Sequence, residues 1–120
     1  MNIRKQMEHI YTDIPLENIP WNIVEPPELI VQAVESGKIK PCRAVDLGCG
    51  AGNYSVWLAQ RGFDVTGFDI SRQAINHAES LASQKRATCT FIAADLLGDM
   101  KEFHDCFDFA LLDEFGVKRG

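Results

Sequence analysis

The stretch AVDLGCGAGNYSVWLAQRGFDVTGFDIS, from Ala44 to Ser71, constrains this chain more than any other part of it. A short buried-looking run, Arg43 to Leu47, stops at three closely spaced glycines, Gly48, Gly50 and Gly52, and a helical stretch begins at about Asn53. Glycines at such a strand-to-helix turn let the backbone bend sharply and let a ligand come close, because no Cβ stands in the way. A second alternating run, Phe63 to Asp69, ends on a carboxylate at about the twenty-residue spacing that a ribose-binding acid keeps from such a loop. The pattern predicts a nucleoside-containing ligand at the carboxyl ends of parallel strands.

The rest of the chain continues the alternation. Residues 1 to 24 read as a short helix followed by irregular chain around Pro15, Pro20 and Trp21. Pro26 and Pro27 open a helix whose apolar positions Leu29, Ile30, Ala33 and Val34 fall three and four apart, and Gly37 suits a left-handed cap beyond its end. Ser71 is the predicted N-cap of a helix with Ala74, Ile75, Ala78, Leu81 and Ala82 on one face. A third strand is predicted from about Thr88 to Ala94, and a fourth from about Phe107 to Asp113. Strands alternating with helices predict an α/β fold built from βαβ units around a parallel sheet. Right-handed crossovers put the helices after the first two strands on one face. The organisation divides into a lead-in with the first helix, residues 1–42, and a ligand-binding half, residues 43–120.

Charge narrows the ligand. A dinucleotide-binding fingerprint requires glycine at position 53, where this chain has Asn53. Asp46, at the end of the first strand, would repel a pyrophosphate but suits a ligand bearing an ammonium group and a sulfonium. The formal net charge is -5 with no Lys/Arg run, so nothing draws the chain to a nucleic-acid backbone or an anionic membrane. No segment approaches the roughly 18 apolar residues of a membrane helix, and the N-terminus lacks a secretory pattern. Cys42, Cys49, Cys89 and Cys106 show no paired spacing, which points to thiols in a reducing cytoplasm. Cys49 itself reads as a small buried filler rather than a nucleophile. His9, His77 and His104 lack metal-ligand spacing and read as solvated, so no metal is expected.

Taken together, VDLGCGAG (Val45 to Gly52), VTGFDIS (Val65 to Ser71), Ala94-Asp95 and FDFALLD (Phe107 to Asp113) resemble the successive motifs of class I, Rossmann-type S-adenosylmethionine-dependent methyltransferases. Pro20-Trp21-Asn22, ahead of the proline-opened helix, is similar to a segment of the small-molecule enzymes of the methyltransferase 11/25 group. The resemblance implies S-adenosylmethionine as cofactor and a small molecule as methyl acceptor. It implies cofactor contacts from Asp46, Gly48, Cys49, Gly50 and Gly52 along the loop, from Asp69 and Ile70 after the second strand, and from Asp95 and Leu96 after the third. Asp69 would hold the ribose hydroxyls and Asp95 the adenine amino group, with Trp21 and Tyr11 closing a lid. Asp113 and Glu114 fall at the expected mouth of the site, and no catalytic residue is assigned.

The resemblance also implies a three-layer Rossmann-like sheet of order 3-2-1-4, incomplete beside the seven strands of the family. The three readable helices would cover one sheet face and leave the other apolar and open, a surface expected to attract a second copy or a partner. Two other readings stay in view. One is a non-catalytic cofactor-binding or interaction fragment; the other is a nicotinamide-dependent oxidoreductase fragment, against which Asn53 and Asp46 argue.

Overall fold

The computed structural model describes residues 2–95 and the strand backbone of 109–112. Its elements in chain order are α1 (Ile3–Asp13), a single 3-10 turn (Leu16–Asn18), α2 (Glu28–Glu35), β1 (Arg43–Leu47), α3 (Asn53–Ala59), β2 (Asp64–Asp69), α4 (Arg72–Gln84), β3 (Cys89–Ala93) and β4 (Phe109–Leu112). The strands form one parallel sheet in the order β3-β2-β1-β4. The order reverses direction between β1 and β4, and that switch point is where an open parallel sheet offers a crevice at its carboxyl end.

Period-two alternation assigns each strand residue to a face. Ala44 of β1 pairs in register with Val65 of β2, which pairs with Cys89 of β3; Gly67 pairs with Phe91. Side chains of this face pack against α3 and α4. Ala44, Tyr54, Leu58, Phe63 and Val65 form one buried cluster, with Ile30 and Val34 of α2 against it. Cys49, Val56, Ile75, Ala78, Ala82 and Phe91 form the next. The crossover helices α3 and α4 thus lie on one face, as the right-handed rule requires, and α2 packs against the same side.

Two details depart from the sequence reading. Leu29 is 79% exposed, so α2 docks through Ile30 and Val34 and turns Leu29 outward. On the second sheet face Val45, Phe68 and Ala94 are buried together, so the centre of that face is not the open apolar surface expected.

The start of α4 follows the sequence. Ser71 is extended, and its hydroxyl accepts a hydrogen bond from the Ala74 amide at 3.0 Å. It thereby satisfies one of the orphan N–H groups of the first turn. Four residues of the predicted apolar face, Ala74, Ile75, Ala78 and Ala82, are buried. Ser71→Ala is expected to lower stability by about 0.5 to 2 kcal/mol. Urea unfolding followed by circular dichroism measures the change; an unaltered midpoint would remove the cap from this account.

Candidate cofactor site

The glycine loop joins β1 to α3 beside the end of β2. Gly48, Gly50 and Gly52 all have positive φ, at 72°, 56° and 87°. This conformation strains any residue with a Cβ, so the loop is tight because it is built of glycine. The amides of Gly48 and Cys49 both donate to the Phe68 carbonyl, at 2.8 and 2.9 Å, and fasten the loop to the end of β2.

Asp69 is the hub of the site. It is buried, its Oδ2 accepts from the Gly50 amide at 2.9 Å, and its Oδ1 accepts from the Ser71 amide at 3.0 Å. One carboxylate therefore ties the loop to the β2–α4 turn. Burial pushes its pKa above the usual carboxylate value; the backbone N–H groups of Ser71, Gly50 and Ile70 oppose the rise, and the charge of Glu8 adds to it. Two oxygens with about four acceptor positions leave capacity for further donors beyond these two amides.

Asp46 is placed differently from the simplest reading. It is 1% exposed, and its Oδ2 accepts from the Ser55 hydroxyl at 2.7 Å, so it sits beneath the loop against α3. Its charge acts on the loop above it through the field. The same charge, after the larger effect of burial, pushes the Cys89 thiol up to about 11. That thiol is protonated at neutral pH and unsuited to nucleophilic work. Cys49 is buried among Val56, Ile75 and Phe91, which agrees with a filler role. Cys42, Cys49 and Cys89 form no disulfide.

The N-terminal segment crosses the loop. Tyr11 is buried, and its hydroxyl accepts from Trp21 Nε1 at 2.9 Å. A Cβ on Gly50 would stand 3.0 Å from the Tyr11 hydroxyl, so the ring tip rests on the glycine itself. Trp21 packs against the cluster of Met7, Tyr11, Ile19 and Ala74. Asn53, where a dinucleotide fingerprint has glycine, donates from Nδ2 to Asn22 Oδ1 at 3.0 Å and so tethers the Trp21 segment to α3. A cavity of about 30 Å³ remains between Tyr11, Trp21, Asn22 and the loop. This is room for water, against roughly 300 Å³ or more for a typical small-molecule site.

Ile70 and Asp95 follow β2 and β3 at the carboxyl edge, both half-buried. Asp95 stands just past Ala94, whose amide donates to the Asp69 carbonyl at 2.9 Å and holds the two strand ends together. Leu96, Asp113 and Glu114 lie outside the described residues, as do His104 and Cys106. His77 corrects the solvated reading: its Nε2 lies 3.0 Å from the Tyr11 carbonyl, which can only accept, so Nε2 carries the proton. Among the described residues no group of histidine, cysteine and carboxylate side chains could hold a metal ion. No helix among them is long and apolar enough to cross a membrane.

Residues 44–117 match the model of the methyltransferase domain family. Across 78 residues the chain is 35% identical to 2-heptyl-1-hydroxyquinolin-4(1H)-one methyltransferase of Mycobacteroides abscessus, covering 64% of this chain and 34% of that protein. It is 48% identical over 56 residues to ribosomal RNA small subunit methyltransferase C of Alcanivorax borkumensis, covering 45% of this chain and 17% of that one. A solved structure concerned with conversion of a disulfide bond into a thioacetal group during echinomycin biosynthesis superposes with a TM-score of 0.82 at 28% identity, covering 92% of this chain and 46% of that one. The chain thus spans less than half the length of each of these three proteins.

Proposed function

The chain belongs to the methyltransferase domain family, whose methyl donor is S-adenosylmethionine, and on that premise we propose that it forms the cofactor-binding half of a small-molecule methyltransferase. The observation that carries the reading is the Asp69 carboxylate, buried at the carboxyl edge of the sheet and bonded to the amide of a positive-φ glycine. That arrangement suits a nucleoside whose ribose hydroxyls donate to the carboxylate while its other end lies over the loop.

The cofactor, when bound, supplies an electrophilic methyl group on a sulfonium that departs as a neutral thioether. What the chain contributes is binding and alignment. Asp69 accepts from the ribose, and Asp95, beside it past β3, serves the adenine amino group. Ile70 and, as the resemblance implies, Leu96 would add further cofactor contacts, and Gly48, Cys49, Gly50 and Gly52 would give backbone access to the amino-acid end. Asp46 biases the loop toward positive charge from below. Tyr11 and Trp21 exclude water and offer aromatic faces to the sulfonium, an attraction of roughly 0.5 to 2 kcal/mol. Holding acceptor and methyl in line can lower the barrier by roughly 7 to 11 kcal/mol, and a base is needed only for an acceptor that must lose a proton.

A small acceptor is favoured over RNA on two grounds. The quinolone-methylating relative matches a longer stretch of this chain than the ribosomal RNA enzyme does, and the net charge of -5 is wrong for a phosphate backbone. Further chain or a second copy would complete the acceptor side, and the thiols fit a cytoplasmic setting. The nicotinamide reading loses to Asn53, which tethers the lid, and to family membership.

The test is calorimetric titration with S-adenosylhomocysteine, with NAD as comparison. Micromolar binding of the former and none of the latter is expected. Preference for NAD would overturn the reading, and binding of neither would overturn the claim that this chain carries the cofactor site by itself.

A further inference from the structure

The cofactor site has one contact that the glycine loop and the strand ends do not account for. Glu8, in the middle of α1, lies across the start of α4. Its Oε1 accepts from the Ser71 hydroxyl and from the Gln73 amide, the latter at 2.9 Å. A carboxylate from another helix thus completes the N-terminal cap that Ser71 begins, in a place where the helix field favours negative charge. Tyr11 follows on the same side of α1, three residues further on. The bond between His77 and the Tyr11 carbonyl fixes α1 to α4 a second time. Met7, Tyr11 and Ile19 close the apolar seam with Ala74.

The contact has a geometric consequence. Glu8 fixes α1 against α4; α1 fixes Tyr11; and Tyr11, joined to Trp21, stands on Gly50. The cavity between Tyr11, Trp21 and the loop is room for water, and Glu8, Ser71 and Gln73 do not line it, so the cap can be made whether the space is empty or filled. A ligand group that reaches Gly50 past Tyr11 and Trp21 requires them to lift, and they lift more readily when α1 is released.

We propose that Glu8 is the catch of a strap: by capping α4 from α1 it holds residues 3–21 across the glycine loop and sets the rate at which the cofactor passes in and out. The inference rests on the cofactor reading above, and it differs from ordinary site binding in what it controls. A residue that only shapes the site changes dissociation. A catch on a gate slows passage both ways, so removing it speeds both association and dissociation and leaves the equilibrium affinity little changed.

Stopped-flow binding of S-adenosylhomocysteine to the full chain, read by Trp21 emission in a Trp57→Phe background, tests this. Glu8→Ala is expected to raise both rate constants about tenfold, the effect of losing charge-assisted hydrogen bonds from the closed state, with Kd moving by about threefold or less. Two further variants separate reach from charge and serve if Glu8→Ala fails to fold. Glu8→Gln keeps an oxygen in reach of both donors but not the charge and should fall between the parent and alanine; Glu8→Asp keeps the charge but is one methylene short and should behave like alanine. Unchanged rates, a change in dissociation alone, or the reverse order of the two variants would overturn the proposal. If the parent chain bound no S-adenosylhomocysteine, the cofactor reading would fail instead. The strap would then be read from Trp21 emission without ligand, which must shift in Glu8→Ala for the catch to stand.

Discussion

Replacing Asp69 by alanine weakens S-adenosylhomocysteine binding by about 1 to 3 kcal/mol, the cost of deleting an ionised hydrogen-bond partner, or roughly 5- to 150-fold in Kd. The residue contributes twice. It is positioned to accept from the ribose, and it already accepts from the Gly50 and Ser71 amides, so its loss loosens the loop as well as removing an acceptor. Asp69→Asn has the same consequence through a smaller change, since an amide retains one oxygen but turns its other end into a donor facing a backbone N–H. Both variants should therefore bind weakly, and calorimetry that found either at parental affinity would remove Asp69 from the site.

The direction of the Asp69 shift adds a pH signature. Burial raises its pKa above the ordinary 3.8, more than the backbone amides lower it. The native state then holds the proton more tightly than the unfolded chain does. The stability linked to this group is therefore fully present below 3.8 and declines as pH rises from there through the raised native value. Cofactor binding runs the other way, because ribose hydroxyls donate to the carboxylate and not to its protonated form. Affinity should begin to fall, on acidification, at a higher pH than an ordinary aspartate would give, and Asp69→Asn should flatten that limb of the profile.

Much of this arrangement was legible in the sequence, for reasons that are local. β1 runs from Arg43 to Leu47 as predicted, because a short run that carries Ala44, Val45 and Leu47 and stops at glycine is too short for a helix. The loop glycines take positive φ because a strand-to-helix turn this tight requires it, and Ser71 caps α4 because the cap uses a bond spanning three residues. What the sequence concealed is non-local. The periodicity of α2 shows an apolar side but not the angle at which it docks, so Leu29 was assigned inward and lies outward. Asp46 stands at the right strand end, yet its side chain belongs to the helix-covered face, where Ser55 meets it. Position 46 alternates with Val45 and Leu47, which lie on the other sheet face, and that alternation was the available signal. Glu8 and His77 each act on a residue more than sixty positions away, and no pattern within a single helix announces such a partner.

The loop's geometry is also a claim about stability, and Gly52→Ala exposes it. Gly52 has φ of 87°, and a Cβ there would stand 2.8 Å from Ala78 Cβ, 3.0 Å from Ala78 Cα and 3.3 Å from Phe91 Cζ. The first two distances are set by the α4 main chain, which cannot retreat without dragging Ile75, Ala78 and Ala82 from the core they share with Phe91. The expected cost joins about 1 to 2 kcal/mol of left-handed strain to about 1 to 3 kcal/mol of overpacking. That is a large part of the 5 to 15 kcal/mol typical of a whole domain. Gly37→Ala supplies the control, for Gly37 has a similar φ of 82° and nothing within 4 Å of its absent Cβ. It should show the strain alone. Urea unfolding of the two variants then isolates the steric contribution, with Gly52→Ala the less stable by the overpacking cost. Equal losses would mean that α3 and α4 do not approach each other through this glycine, and the close seating of the loop on the helix layer would have to be redrawn.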